Sequence, residues 1–208
     1  MFTFTALAGF IGASMVLTIA PGPDNIFIIT QGISNGRRPA IVTALGMCSG
    51  VSIHTIAAAL GLSAIFYSSA VAFQAVKFAG AAYLLYLAYR TIKSRSEGFA
   101  GGRAKLESYA ALYRRGFLMN VLNPKVALFF LAFLPQFVNP SSGKFALQVI
   151  MLGLMFMAQA VVIFTIIGYF SGTIGDRLIK KPGLSRFLSW LTAGVFTVLG
   201  VRLALISR

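Results

Sequence analysis

The charged residues of this chain are gathered into short connections, and between them lie stretches too long and too apolar for a water-soluble fold. The first 23 residues carry no charged side chain, and after Asp24 the next charge is Arg37. From Arg115 to Lys144 the only charge is Lys125. With 58% hydrophobic and 11% charged residues, several windows exceed the roughly 18 apolar residues that mark a spanning helix. The pattern predicts an all-α integral membrane protein with six spans, at about 4–34, 39–66, 70–92, 114–138, 145–170 and 186–206. The 208 residues leave no room for a sizeable soluble domain. The first stretch lacks a basic n-region and an A-x-A site and continues past any cut, so it reads as a span rather than a signal peptide.

Thirty residues of helix measure about 45 Å, against a hydrocarbon core of about 30 Å. The first stretch is therefore too long for one straight helix, and Pro21-Gly22-Pro23 splits it. A matching break falls at Asn123-Pro124. Gly22 and Asn123 are suited to cap helices, with Pro23 and Pro124 at the first helical position, where no N–H is needed. Half-helices are predicted from Pro23 to about Ile33 and from Pro124 to about Leu134, before Pro135.

The one long connection, 93–113, separates two three-span repeats, 1–92 and 114–208, within a single transmembrane domain. Arg37, Arg38, Arg90, Lys93, Arg95, Arg103, Lys105, Arg114, Arg115, Arg177, Lys180, Lys181 and Arg186 fall on one side of the membrane. Lys77, Lys144, Arg202 and Arg208 fall on the other. That places 13 of the 18 basic residues together and predicts that side to be cytoplasmic, with both termini periplasmic. Three-span repeats have opposite orientations. Asp24 precedes Arg37 by 13 residues and Lys125 follows Arg115 by 10. Both then lie about 15 Å deep, near the midplane. Inverted repeats with helices broken at the midplane are a transporter plan. Ala88-Tyr89-Arg90 and Gly200-Val201-Arg202 echo each other at the ends of the third and sixth spans.

Asp24 and Lys125 are the candidate site. A charge inside a membrane segment costs several kcal/mol and marks a functional site by default. Asp24 suits an ammonium group. Lys125 and the half-helix N-termini suit a carboxylate. The set Pro21, Gly22, Pro23, Asp24, Asn25, Asn123, Pro124 and Lys125 thus fits a zwitterionic amino acid. The competing reading is a structural Asp24–Lys125 ion pair in a channel or a non-transporting subunit. If the two charges pair in one state and part in another, the proton affinity of Asp24 changes between states, which would couple protons to alternating access.

These residues also resemble a known family. Ala20-Pro21-Gly22-Pro23-Asp24-Asn25, Asn123-Pro124-Lys125 with Phe133-Leu134-Pro135-Gln136-Phe137, and Gly80-Ala81-Ala82-Tyr83-Leu84 look like motifs of the lysine exporter/homoserine–threonine resistance family of bacterial amino-acid effluxers. The resemblance covers nearly the whole chain. It implies export of amino acids or close derivatives across the bacterial inner membrane, driven by the proton gradient, by a six-span protein that acts as an oligomer, with a homodimer as the candidate.

His54, mid-span, is a candidate proton relay, although a helix–helix hydrogen bond is the preferred reading. Gln159 is comparably deep. Gly46-Met47-Cys48-Ser49-Gly50 allows close helix approach, with internal packing preferred to a dimer seam. Gly12, Gly61, Gly80, Gly153 and Gly194 read as packing glycines. Trp190 and the Tyr near span ends fit interfacial belts, and the 93–113 connection can touch lipid headgroups. The net charge of +14 sits in the connections, which favours membrane orientation over nucleic acid as its cause. The lone Cys48 excludes a C-x-x-C redox pair within the chain. No P-loop, metal cluster or nucleophile–base set is present, so no cofactor, no metal and no enzyme activity are expected. Lipid-cleaving membrane enzymes need paired acids, a metal or a Ser/His set.

Overall fold

A computed structural model describes residues 2–20, 22–68, 70–93, 107–139, 144–179 and scattered positions between 190 and 205. Pro21, most of the 93–113 connection and most of the predicted last span lie outside the described residues. Within them the chain is helical: α1 (Phe4–Ile19), α2 (Pro23–Asn35), α3 (Arg37–Ser68), α4 (Ala70–Lys93), α5 (Tyr109–Val121), α6 (Pro124–Leu128) and α7 (Phe145–Ile179). Trp190, Ala193, Gly200 and Leu205 are also helical where described.

Among the described residues, two helices are long and apolar enough to cross a membrane, in the segments Arg37–Gly61 and Phe145–Ser171. Two bent pairs qualify together: α1 with α2 at 55°, and α5 with Pro124–Phe137 at 46°. The protein is thus an all-helical, multi-pass membrane protein, and both predicted breaks are present. Gly22 and Asn123 are the N-caps, and Pro23 and Pro124 occupy the first helical positions. The second half-helix departs from expectation. Its α-helical part ends at Leu128, followed by a π turn over Phe129–Phe133 and a 3₁₀ turn over Leu134–Phe137. Pro135 lies inside the 3₁₀ turn, where its missing N–H at the start of a new turn leaves no bond unmade.

Helix starts follow from capping. Thr3 and Ser108 accept hydrogen bonds from Ala6 N–H and Ala111 N–H at 3.2 and 3.3 Å. Only Gly36 separates α2 from α3, at φ +90°, a left-handed conformation that a Cβ would oppose.

α3 is the central element, packed against α5, α7 and α2, while α7 also lies along α1. The G-x-x-x-G of α3 packs internally. A Cβ on Gly46 would meet Tyr113 O at 2.1 Å, and one on Gly116 of α5 would meet Thr43 O at 2.3 Å. The two backbones approach closely enough that only glycine fits. Gly153 packs the same way, since its Cβ would meet Thr55 Oγ1 at 2.3 Å. Gly12, Gly61 and Gly194 do not: nothing lies within 4 Å of a Cβ there, which corrects their reading as packing glycines. The core is rich in aromatic side chains: Phe10, Phe129, Phe130, Phe133 and Phe156 are almost wholly buried, with ring centroids 5.1–6.1 Å apart.

Candidate functional site

The break between α1 and α2 leaves the last carbonyls of α1 without helical partners. Side chains take that place. Ala20 N–H closes on Val16 O at 2.8 Å. Asn25 Nδ2 donates to Thr18 O at 3.0 Å, Ile19 O at 3.3 Å and Ala20 O at 2.7 Å. Lys125 Nζ donates to Leu17 O at 2.9 Å and to Ala20 O at 3.4 Å. Every carbonyl from Val16 to Ala20 therefore has a donor. The ammonium also stands at the negative end of the α1 dipole, where a cation is favoured.

The two breaks are tied a second time. Asn123 Oδ1 caps α6 by accepting from Lys125 N–H at 3.0 Å, while its Nδ2 donates to Asp24 Oδ2 at 2.6 Å. Asp24 and Lys125 are 2% and 8% exposed. They do not form a salt bridge with each other, unlike Arg115 and Glu107. The direct pair of the competing reading is not formed; the two charges are joined indirectly, because the α1 carbonyls and Asn123 offer each charge a nearer partner. Nor are both half-helix N-termini open to an anion. That of α6 is capped by Asn123, whereas that of α2 has no side-chain cap. A Cβ on Gly22 would lie 3.4 Å from Lys125 Nζ, which places the ammonium beside this end.

Between the breaks is a small cavity with room for about one water molecule. Thr18, Asp24, Asn120 and Lys125 form its polar wall, and Val51, Phe156, Ala160 and Phe164 are among its apolar lining. Asp24 Oδ1 and Asn120 Oδ1 are buried and accept no hydrogen bond.

The sequence profile of the LysE type translocator family matches residues 15–207. The chain belongs to the LysE family of translocators. Among curated relatives, the homoserine/homoserine lactone efflux protein of Salmonella typhimurium is 30% identical over 205 residues, covering 97% of each chain. The leucine efflux protein of Enterobacter sp. (strain 638) is 26% identical over 205 residues, covering 94% of this chain and 93% of its own. An uncharacterized membrane protein of Vibrio cholerae is 31% identical over 194 residues, covering 92% of each. No solved structure matches.

In this LysE-family chain the motif residues Gly22, Pro23, Asp24, Asn25, Asn123, Pro124 and Lys125 converge at one place. His54 stands beside them, with its Nε2 3.0 Å from the Asn120 carbonyl. A carbonyl only accepts, so Nε2 carries the proton, and the contact is the helix–helix hydrogen bond that was preferred to a relay. Gln159 Nε2 donates to Thr18 Oγ1 at 2.9 Å, joining α7 to α1 at the cavity. Asn120 and Thr18 were not singled out in the sequence. The available signal was Asn120-x-x-Asn123, two amides one helical turn apart in an apolar span.

Proposed function

We propose that this LysE-family protein is a secondary-active exporter of amino acids or close derivatives across the bacterial inner membrane. Its substrate site lies where the two proline-broken helices meet, near the midplane. The observation that carries the reading is the cavity between the breaks, which has on its wall a carboxylate with one unused oxygen and an ammonium beside an uncapped helix N-terminus. A zwitterion has the complementary pair: its ammonium toward Asp24, its carboxylate toward Lys125 and the α2 N-terminus. The names of the Salmonella and Enterobacter relatives support amino-acid efflux. Membership in a translocator family favours transport over catalysis.

The inverted three-span repeats, the cytoplasmic 93–113 connection and the periplasmic termini belong to this reading. They are supported by two bent pairs with the same order of elements: a half-helix, an N-cap followed by proline, and a second half-helix. Drive comes from the proton gradient, with Asp24 as the exchanging group. Protons and an amino acid are the partners, lipid is the solvent, and the active form is a homodimer.

The test is efflux of a panel of radiolabelled amino acids from cells overproducing the protein, with and without an uncoupler while ATP is clamped. Uphill efflux of at least one amino acid, stopped by the uncoupler, is expected. No efflux above control cells rejects the exporter reading, and uphill efflux that survives the uncoupler rejects proton drive.

A further inference from the structure

Two polar residues on the cavity wall, Thr18 and Asn120, belong to none of the sequence motifs. Asn120, in the last turn of α5, is 2% exposed. Its carbonyl accepts from Asn123 N–H at 2.9 Å and from His54 Nε2 at 3.0 Å, so the turn is held by both the break and α3. Gly50 of α3 clears the space for its side chain, since a Cβ there would come within 2.9 Å of Asn120 Cβ. Held in this way, Asn120 lines the same cavity as Asp24, and neither Asn120 Oδ1 nor Asp24 Oδ1 has a donor.

Two buried acceptors without donors are costly and uncommon, and they ask for a ligand that brings N–H groups. The space holds about one water molecule, which is also the size of an –NH₃⁺ head. The C-terminal end of α5 favours a cation there. The one protein cation on the wall, Lys125, already donates to Leu17 O and Ala20 O.

We infer that Asn120 is a specificity-determining residue: its Oδ1 and Asp24 Oδ1 together seat the primary ammonium of the exported amino acid. This rests on the export reading above and deepens it. It follows that the site selects for a free amino group, so N-acylated and α-hydroxy analogues are excluded.

The experiment uses purified full-length protein. Thermal stabilisation is measured with L-leucine, L-homoserine, N-acetyl-L-leucine, the α-hydroxy analogue of leucine, and sodium against choline chloride. Counterflow of an amino acid that the unmodified protein exchanges is then measured in proteoliposomes for Asn120→Leu and Asn120→Asp. Stabilisation only by compounds with a primary ammonium is expected. Asn120→Leu, which removes the acceptor at similar volume, should raise the half-saturating concentration roughly tenfold or more, and Asn120→Asp, which keeps an acceptor, should not. Equal stabilisation by the N-acetyl or α-hydroxy compound overturns the inference. So does an unchanged half-saturation in Asn120→Leu, which leaves the export reading intact. Stabilisation by sodium alone would give the two oxygens to a metal cation instead. If Asn120→Leu does not fold, the ligand series on the unmodified protein decides. No exchange of any amino acid by the unmodified protein is a failure of the export reading itself.

Discussion

Lys125 does two jobs that make different demands on it. Its Nζ completes the carbonyl end of α1, and under the proposed function it also faces a substrate carboxylate. Lys125→Met keeps the apolar stem but leaves Leu17 O without a donor and Ala20 O with Asn25 alone. A charge-assisted bond of this kind contributes about 2 kcal/mol, so a clear drop in the melting temperature of the purified protein is expected. An unchanged melting temperature would mean the carbonyls find another donor. Exchanging the charges separates this geometry from a simple pair. In Asp24→Lys with Lys125→Asp, a carboxylate would face the negative end of α1 and the carbonyls would lose their donor. No recovery of efflux is expected at equal abundance, whereas a restored rate would return the two residues to a plain ion pair.

At the level of elements, the α3–α5 contact is set by glycine. Gly46→Ala or Gly116→Ala forces backbone apart, and overpacking of this kind costs about 1–3 kcal/mol. Gly12→Ala and Gly61→Ala have open space. The first two should lower thermal stability and membrane abundance, and the second two should leave both near the parent value. A Gly116→Ala protein as stable as Gly12→Ala would contradict the close approach. The same contrast shows what the sequence can and cannot reveal. Pro23 and Pro124 act through local backbone chemistry, so the breaks and their caps are legible from the residues alone. Whether a glycine packs depends on which helix lies opposite, so Gly153 and Gly12 look alike in the sequence and differ in the fold. The π turn over Phe129–Phe133 answers to the aromatic packing around it and has no local signal. Asp24 and Lys125 stand out because charge in an apolar span is conspicuous. Their partners are less legible: Asn123 reads as an N-cap, but its second bond, to Asp24, has no local signal, and the α1 carbonyls look ordinary anywhere in a sequence.

Across the whole molecule, under the proposed function, the basic residues set the orientation and the two breaks set the chemistry. A cysteine introduced at Gly101 in a Cys48→Ser background should resist a membrane-impermeant thiol reagent in intact cells and react after permeabilisation. Labelling of intact cells would invert the topology. The account stands or falls on Asp24 as the residue that meets the substrate. Asn123 Nδ2 can donate to the amide oxygen of Asp24→Asn as it does to the carboxylate, so this variant should fold with the break intact and lose only the charge. The decisive measurement is counterflow of a radiolabelled amino acid into proteoliposomes holding equal amounts of parent or Asp24→Asn protein. Exchange reduced to the level of protein-free vesicles is the expected result, and exchange near the parent rate would contradict the account.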